Sequence, residues 1–111
     1  MTATLTASSS PGAPFDLGDC AQDAAKMLKL LASEQRLLLL CRLVEGEASV
    51  GDLAAHAKLA QSAASQHLAK MRGEGLVATR RHAQSIMYRL ADPAAMKVLD
   101  TLREIYRGKA A

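Results

Sequence analysis

The chain has 111 residues, half of them hydrophobic, which is enough for one folded domain with a modest core and argues against a disordered chain. It has no Trp, and only Phe15, Tyr88 and Tyr106 are aromatic, so the core must come from Leu, Ala, Val and Met, a set that favours helices. No apolar run nears the length of a membrane span, and two cysteines are too few for a disulfide scaffold.

The opening stretch, "MTATLTASSSPGAPFDLG", lacks the basic and apolar regions of a secretory signal, so a cytoplasmic protein is expected. Its Ser, Thr, Pro and Gly content predicts a flexible tail over residues 1–18, followed by one domain over residues 19–108.

In "DCAQDAAKMLKLLA" the chain offers Asp19 as a helix N-cap, with Gln22 three residues on as in a capping box. Ala21, Ala24, Leu28 and Leu31 form an apolar stripe that Met27 and Leu30 widen. "SEQRLLLLCRLVEGE" has Ser33 as the next N-cap and Gly46 as the stop. Leu37, Leu40, Cys41 and Val44 line one face of this helix, and Leu38, Leu39 and Leu43 make it apolar nearly all round, which predicts the centre of the core. Ser49 caps a short helix that turns Val50, Leu53 and Ala54 inward.

A break at Lys58 to Ala60 leads to "QSAASQHLAKMRG", whose two faces differ sharply. At 100° per residue Ala64, Leu68 and Met71 share one side; Gln61, Ser62, Ser65, Gln66 and Ala69 share the other. Exposed helix faces usually carry Lys and Glu, which prolong the helix, so a small, uncharged, hydrogen-bonding face asks for another explanation. His67 lies between the faces, where a half-buried structural role is expected.

From Leu76 the period changes to two. Val77, Thr79 and Arg81 alternate with Ala78 and Arg80, and after "HAQS" Ile86, Tyr88 and Leu90 alternate with Met87 and Arg89, a β-hairpin with a polar tip. Asp92 then caps a last helix, with Pro93 at its first position and Met96, Leu99, Leu102 and Tyr106 as its stripe. The order helix, helix, helix-turn-helix, hairpin, helix predicts a mainly α winged helix-turn-helix.

The net charge is +3, and it is unevenly placed. Lys58 to Arg89 holds six basic residues against one acid, a local +5, while the preceding part carries −3 and the following part +1. A basic surface around a polar helix face points to double-stranded DNA. Gln61, Ser62, Ser65 and Gln66 are the candidate base-reading residues, since Gln pairs with adenine through two contacts and Ser donates or accepts. Arg80, Arg81, His82 and Gln84 at the hairpin are candidates for phosphate or minor-groove contacts. A helical dimerisation or adaptor module without DNA binding is the competing reading, and the basic segment argues against it. No enzyme is expected, because the sequence has no Gly-rich phosphate loop, no carboxylate cluster and no nucleophile beside a base.

"LLASEQRLLLLCRL", "SVGDLA", "AQSAASQHLAKMRGEGLVATRR" and "AQSIMYRL" together resemble the ArsR/SmtB family of small bacterial transcriptional repressors, over residues 22–107. The resemblance implies a homodimer built on the first and last helices, binding a pseudo-palindromic operator, with Gln61, Ser62, Ser65 and Gln66 as recognition-helix contacts and the hairpin as the wing. Ala60 departs from the family's usual Ser N-cap.

No metal or other cofactor is expected. The family's arsenic-type cysteines are missing from "SVGDLA", and its zinc-type Asp and His set lacks a His on the last helix, where only Asp100 and Glu104 stand one turn apart. Two branches fit best. The sulfide- and persulfide-responsive BigR- and SqrR-like repressors carry a cysteine matching Cys41, but their second, near Tyr106 or Arg107, is absent. NolR-like regulators have no sensor pair. Cys41 and Cys20 are therefore the candidate sensor thiols, with Cys41 expected mainly as a small core hydrophobe. Cys20 stands in a helix's first turn, where the dipole favours a thiolate and Asp19 opposes it.

Overall fold

A computed structural model describes residues 16–107. The expected tail lies outside the described residues up to residue 15. Among the described residues the helices are α1 (Ala21–Leu31), α2 (Glu34–Val44), α3 (Val50–Ala57), α4 (Gln61–Gly73) and α5 (Pro93–Arg107), and the strands are β1 (Ala48–Ser49), β2 (Val77–His82) and β3 (Ser85–Leu90).

Most boundaries follow from local chemistry. Ser33 and Ser49 stand in extended backbone and accept from the amides of Arg36 and Asp52, each at 3.2 Å, capping α2 and α3. Lys58 enters the left-handed region at φ 58° and stops α3, and Leu59 N–H returns to the carbonyl of Ala54 at 2.9 Å. Gly75 does the same for α4 at φ 83°, letting Leu76 N–H reach Met71 O at 2.9 Å. Asp92 accepts from Ala94 N–H at 2.9 Å, with Pro93 opening α5.

The start of α1 departs from expectation. Asp19 does not cap it: Gly18–Cys20 form a short 3-10 turn, Cys20 is the N-cap, and no side chain bonds there. Asp16, not Asp19, accepts locally, from Gly18 N–H at 2.8 Å. The extra turn displaces Asp19 from the capping position, so the box with Gln22 does not form.

The expected hairpin forms, its strands antiparallel from Val77 opposite Leu90 to His82 opposite Ser85, so the pairing runs into the segment read as the tip. Sequence periodicity missed the third strand. Ala48 and Ser49 pair with Tyr88 and Met87, giving the order β1-β3-β2. Two residues are too short to show a period, yet they join the wing to the helices.

The core is aliphatic. Leu39, Leu40, Leu53, Leu68, Met71 and Leu76 are its largest fully buried side chains, and Ala64, Ala95 and Leu99 are buried with them. Burying each Leu stabilises the fold by roughly 1.5–3 kcal/mol. α2 meets this core through Leu39, Leu40 and Leu43, with Leu37 and Val44 partly buried against it, so of the expected face only Cys41 is left out. One residue past Leu40, 100° further round, Cys41 turns away from the core and is exposed, against the expectation of a core role. The stripes of α1 and α5 are only half used. Leu30, Leu31, Ala95 and Leu99 are buried, whereas Leu28 is 59% exposed, Ile105 62% and Tyr106 79%.

Candidate nucleic-acid interface

α3 and α4 meet across the turn at Lys58 to Ala60, and α4 is pinned from inside. Ala64, Leu68 and Met71 are completely buried, so the opposite side of the helix is fixed toward solvent. Gln61, Ser62, Ser65 and Gln66 all lie on that exposed side, as the spacing predicts. Among the described residues none of their side chains is engaged in a hydrogen bond with the chain. They form a ridge of donors and acceptors available to another molecule.

His67, at the edge of the ridge, is half-buried as expected. Its Nδ1 accepts from Arg36 Nε at 3.2 Å, and Arg36 Nη1 also donates to the carbonyl of Leu30 at 3.1 Å. This arginine ties α4 to α2 and to the end of α1.

The wing projects beside α4. A two-residue turn, Ala83 and Gln84, joins its strands, with Ala83 at φ 57° in a position that favours glycine. Arg81, His82 and Gln84 are exposed. Cross-strand partners share a face, so Arg81 lies with Ile86 on one face, and Arg80 with Met87 on the other. Arg80 is not an open cation. Its Nε donates to both carboxylate oxygens of Glu47, at 3.0 and 2.8 Å, and Nη2 adds a bond of 2.8 Å.

Glu47 immediately precedes β1, and the hydrogen bonds from Arg80 hold its carboxyl below the usual carboxylate range, with the Arg89 and His82 charges adding to the effect. The guanidinium of Arg80 is raised in turn by that hydrogen bond. Any stability from this lowered carboxyl is present above its ordinary pKa and is lost only as pH falls through the lowered one. Sequence inspection did not find Glu47, because 33 residues separate it from Arg80 and the missed strand is what brings them together.

The two cysteines are placed differently. Cys20 is exposed at the start of α1. Cys41 lines an open groove of about 720 Å³ between α2 and α5, with Leu37, Val44, Leu99, Leu102 and Tyr106; Cys20 is not part of that lining. Desolvation pushes the Cys41 thiol above its ordinary value, Glu45 adds to this, and Arg103 opposes it. A raised thiol is largely protonated near neutrality and therefore a slow nucleophile. Among the described residues no three His, Cys, Asp or Glu side chains converge to hold a metal ion. Asp100 binds Arg103 at 2.9 Å. Among the described residues no helix is long and apolar enough to cross a membrane.

Helix-turn-helix, three-stranded wing and outward polar ridge define a winged helix-turn-helix protein of the DNA-binding kind. The model of the bacterial regulatory protein, arsR family, matches residues 33–79. The transcriptional activator HlyU of Vibrio cholerae is 42% identical over 98 residues, 86% of this chain and 91% of that protein. The nodulation protein NolR of Rhizobium meliloti is 48% identical over 93 residues, 84% of this chain and 76% of that one. The solved structure of the transcriptional repressor BigR from Xylella fastidiosa superposes with a TM-score of 0.78 at 40% identity, covering 82% of this chain and 93% of that chain. The chain belongs to the ArsR family of bacterial transcriptional regulators. Its fold and relatives are those of regulators, not of enzymes.

Proposed function

We propose that this protein is a repressor that binds a pseudo-palindromic operator as a homodimer. The observation that carries the reading is the polar ridge of α4, held outward by three completely buried side chains on its other face. In the complex α4 enters the major groove, where Gln61, Ser62, Ser65 and Gln66 meet base edges. Arg81, His82 and Gln84 on the wing meet the adjacent backbone or minor groove. The exposed apolar faces of α1 and α5 close the dimer, which sets two copies of α4 about one DNA turn, ~34 Å, apart. Repression then follows from occupancy of the operator.

Thiol control in this reading runs through Cys41 alone. Cys41 is exposed in the groove between α2 and α5, where modification would wedge those helices apart, while Cys20 stands at the far end of α1. The raised thiol makes that response slow.

The test is selection of duplex from a random pool, followed by binding at several salt concentrations and sedimentation of the complex. A selected palindrome bound roughly 10³-fold or more above random DNA, by two copies of the chain, is the expected result. Equal affinity for selected and random duplex, or a monomer at micromolar concentration, would sink the proposal. Treatment with persulfide should release operator from the wild type and not from Cys41→Ser; release from both variants would remove Cys41 from the mechanism.

A further inference from the structure

Glu47 has no part in reading DNA as described above, yet it makes the densest set of polar contacts on the wing. Three bonds of 2.8 to 3.0 Å join it to Arg80, in a two-pronged geometry that fixes both side chains. The neighbouring acid in the basic segment, Glu74, is drawn off the other way, to Lys26 of α1 at 3.4 Å. Arg80 and Arg81 are adjacent on β2 and differ in one respect. Arg81 has no ion-pair partner among the described residues, while Arg80 is neutralised on its own side of the sheet. The pair spans from the residue before β1, a strand anchored by buried Ala48, to the middle of β2.

We infer that Glu47 withholds Arg80 from the phosphate backbone and so limits the sequence-independent part of DNA binding. The inference rests on the proposed operator binding. Phosphate contacts raise affinity for every sequence alike, whereas base contacts discriminate. A wing with both arginines free would bind operator and random DNA alike more tightly, and the binding would depend more steeply on salt. Holding one arginine back leaves the base-reading ridge of α4 a larger share of the binding energy. The Glu47–Arg80 pair also fixes β2 relative to β1, so the free tip is presented at a constant angle.

Salt titration of duplex binding separates these roles. Each phosphate contact contributes about 0.9 to the slope of log affinity against log salt, so one contact per wing is roughly two units per dimer. Glu47→Gln, which keeps the shape and loses the charge, should steepen the slope by about that amount and raise affinity for operator and random duplex alike, roughly tenfold at low salt. Glu47→Gln combined with Arg80→Gln removes a neutral pair and should return the slope to the wild-type value. Arg81→Gln serves as the control and should flatten it.

A double variant flatter than wild type would mean that Arg80 reaches phosphate in spite of Glu47, and overturns the inference. So would an unchanged slope in Glu47→Gln. If the wild type shows no salt-dependent binding to any duplex, the proposed function itself fails, and Arg81→Gln will then have no effect either. Thermal melting of each variant, expected within a few degrees of wild type, shows that a slope change is not an unfolding effect.

Discussion

The outer side of α4 and the outer sides of α1 and α5 are both exposed, and they are chemical opposites. α4 turns Gln and Ser outward over a completely buried Ala, Leu and Met. α1 and α5 turn Leu28, Ile105 and Tyr106 outward over a core that takes only part of their stripes. Neither surface improves the stability of a single chain in water. Ser is a middling helix former, and exposed aliphatics gain nothing until they are covered. The contrast sorts two kinds of partner. A ridge of hydrogen-bonding groups matches a wet groove lined with base edges, and an apolar face matches another apolar face. The same rigid core holds both, so contacts on one surface fix the position of the other.

The largest effect should come from charging the apolar surface. Ile105→Asp removes a branched aliphatic from each half of the proposed interface, at roughly 1.5–3 kcal/mol per side chain, hence about 3–6 kcal/mol per dimer. Sedimentation equilibrium should show the dimer dissociating at concentrations where the wild type stays paired, with operator affinity falling alongside. Unaltered association would place the interface elsewhere.

Next comes the anchor beneath the ridge. Leu68→Ala should destabilise the fold by about 2–5 kcal/mol, because Leu68 is completely buried and its neighbours can only partly close the cavity. Urea unfolding reads this directly, as a lower midpoint at an unchanged slope. A loss below 1 kcal/mol would indicate that α4 is held less firmly than its burial implies. The polar side of the same helix should behave in the reverse way. Gln66→Ala should leave stability within about 0.5 kcal/mol and reduce discrimination between operator and random duplex by roughly 1–3 kcal/mol. Equal losses against both DNAs would assign Gln66 to the backbone rather than to a base.

These surfaces were legible in the sequence to different depths. The faces of α4 follow from 100° spacing alone, and Gln61, Ser62, Ser65 and Gln66 stand where the spacing puts them. The caps at Ser33, Ser49 and Asp92 are equally local, since a hydroxyl or carboxylate one turn from an amide is a short-range event. Cys41 was misplaced because a helix apolar nearly all round does not say which arc the core will take. The answer depends on α5, whose last turns stand clear of α2 and leave the groove open. Asp19 failed as a cap because a 3-10 turn, weakly signalled in any sequence, takes it up and leaves Cys20 at the N-cap of α1. Glu47 was invisible for a related reason. It meets Arg80 only once a two-residue strand has joined the wing, and two residues carry no period.

The smallest effect, and the one that separates the two roles of α4 most cleanly, concerns the residue just before it. Ala60 occupies the N-cap of α4 with φ −64° and ψ 148°, the extended backbone that a capping residue adopts, yet it has no side-chain oxygen to offer. The same chain uses Ser in this geometry at α2 and α3, where each hydroxyl accepts an amide at 3.2 Å. Ala60→Ser should therefore supply the missing acceptor with no change of backbone, stabilising the protein by about 1 kcal/mol. The amides it would satisfy lie in the first turn of α4, beside Gln61 and Ser62. If that turn is shaped by the fold, the variant should melt a few degrees higher and discriminate between operator and random duplex as the wild type does. If the open amides themselves hold a backbone phosphate, the added hydroxyl will compete for them. Stability will then rise while affinity for both DNAs falls together, a pattern that thermal melting and binding at one salt concentration distinguish.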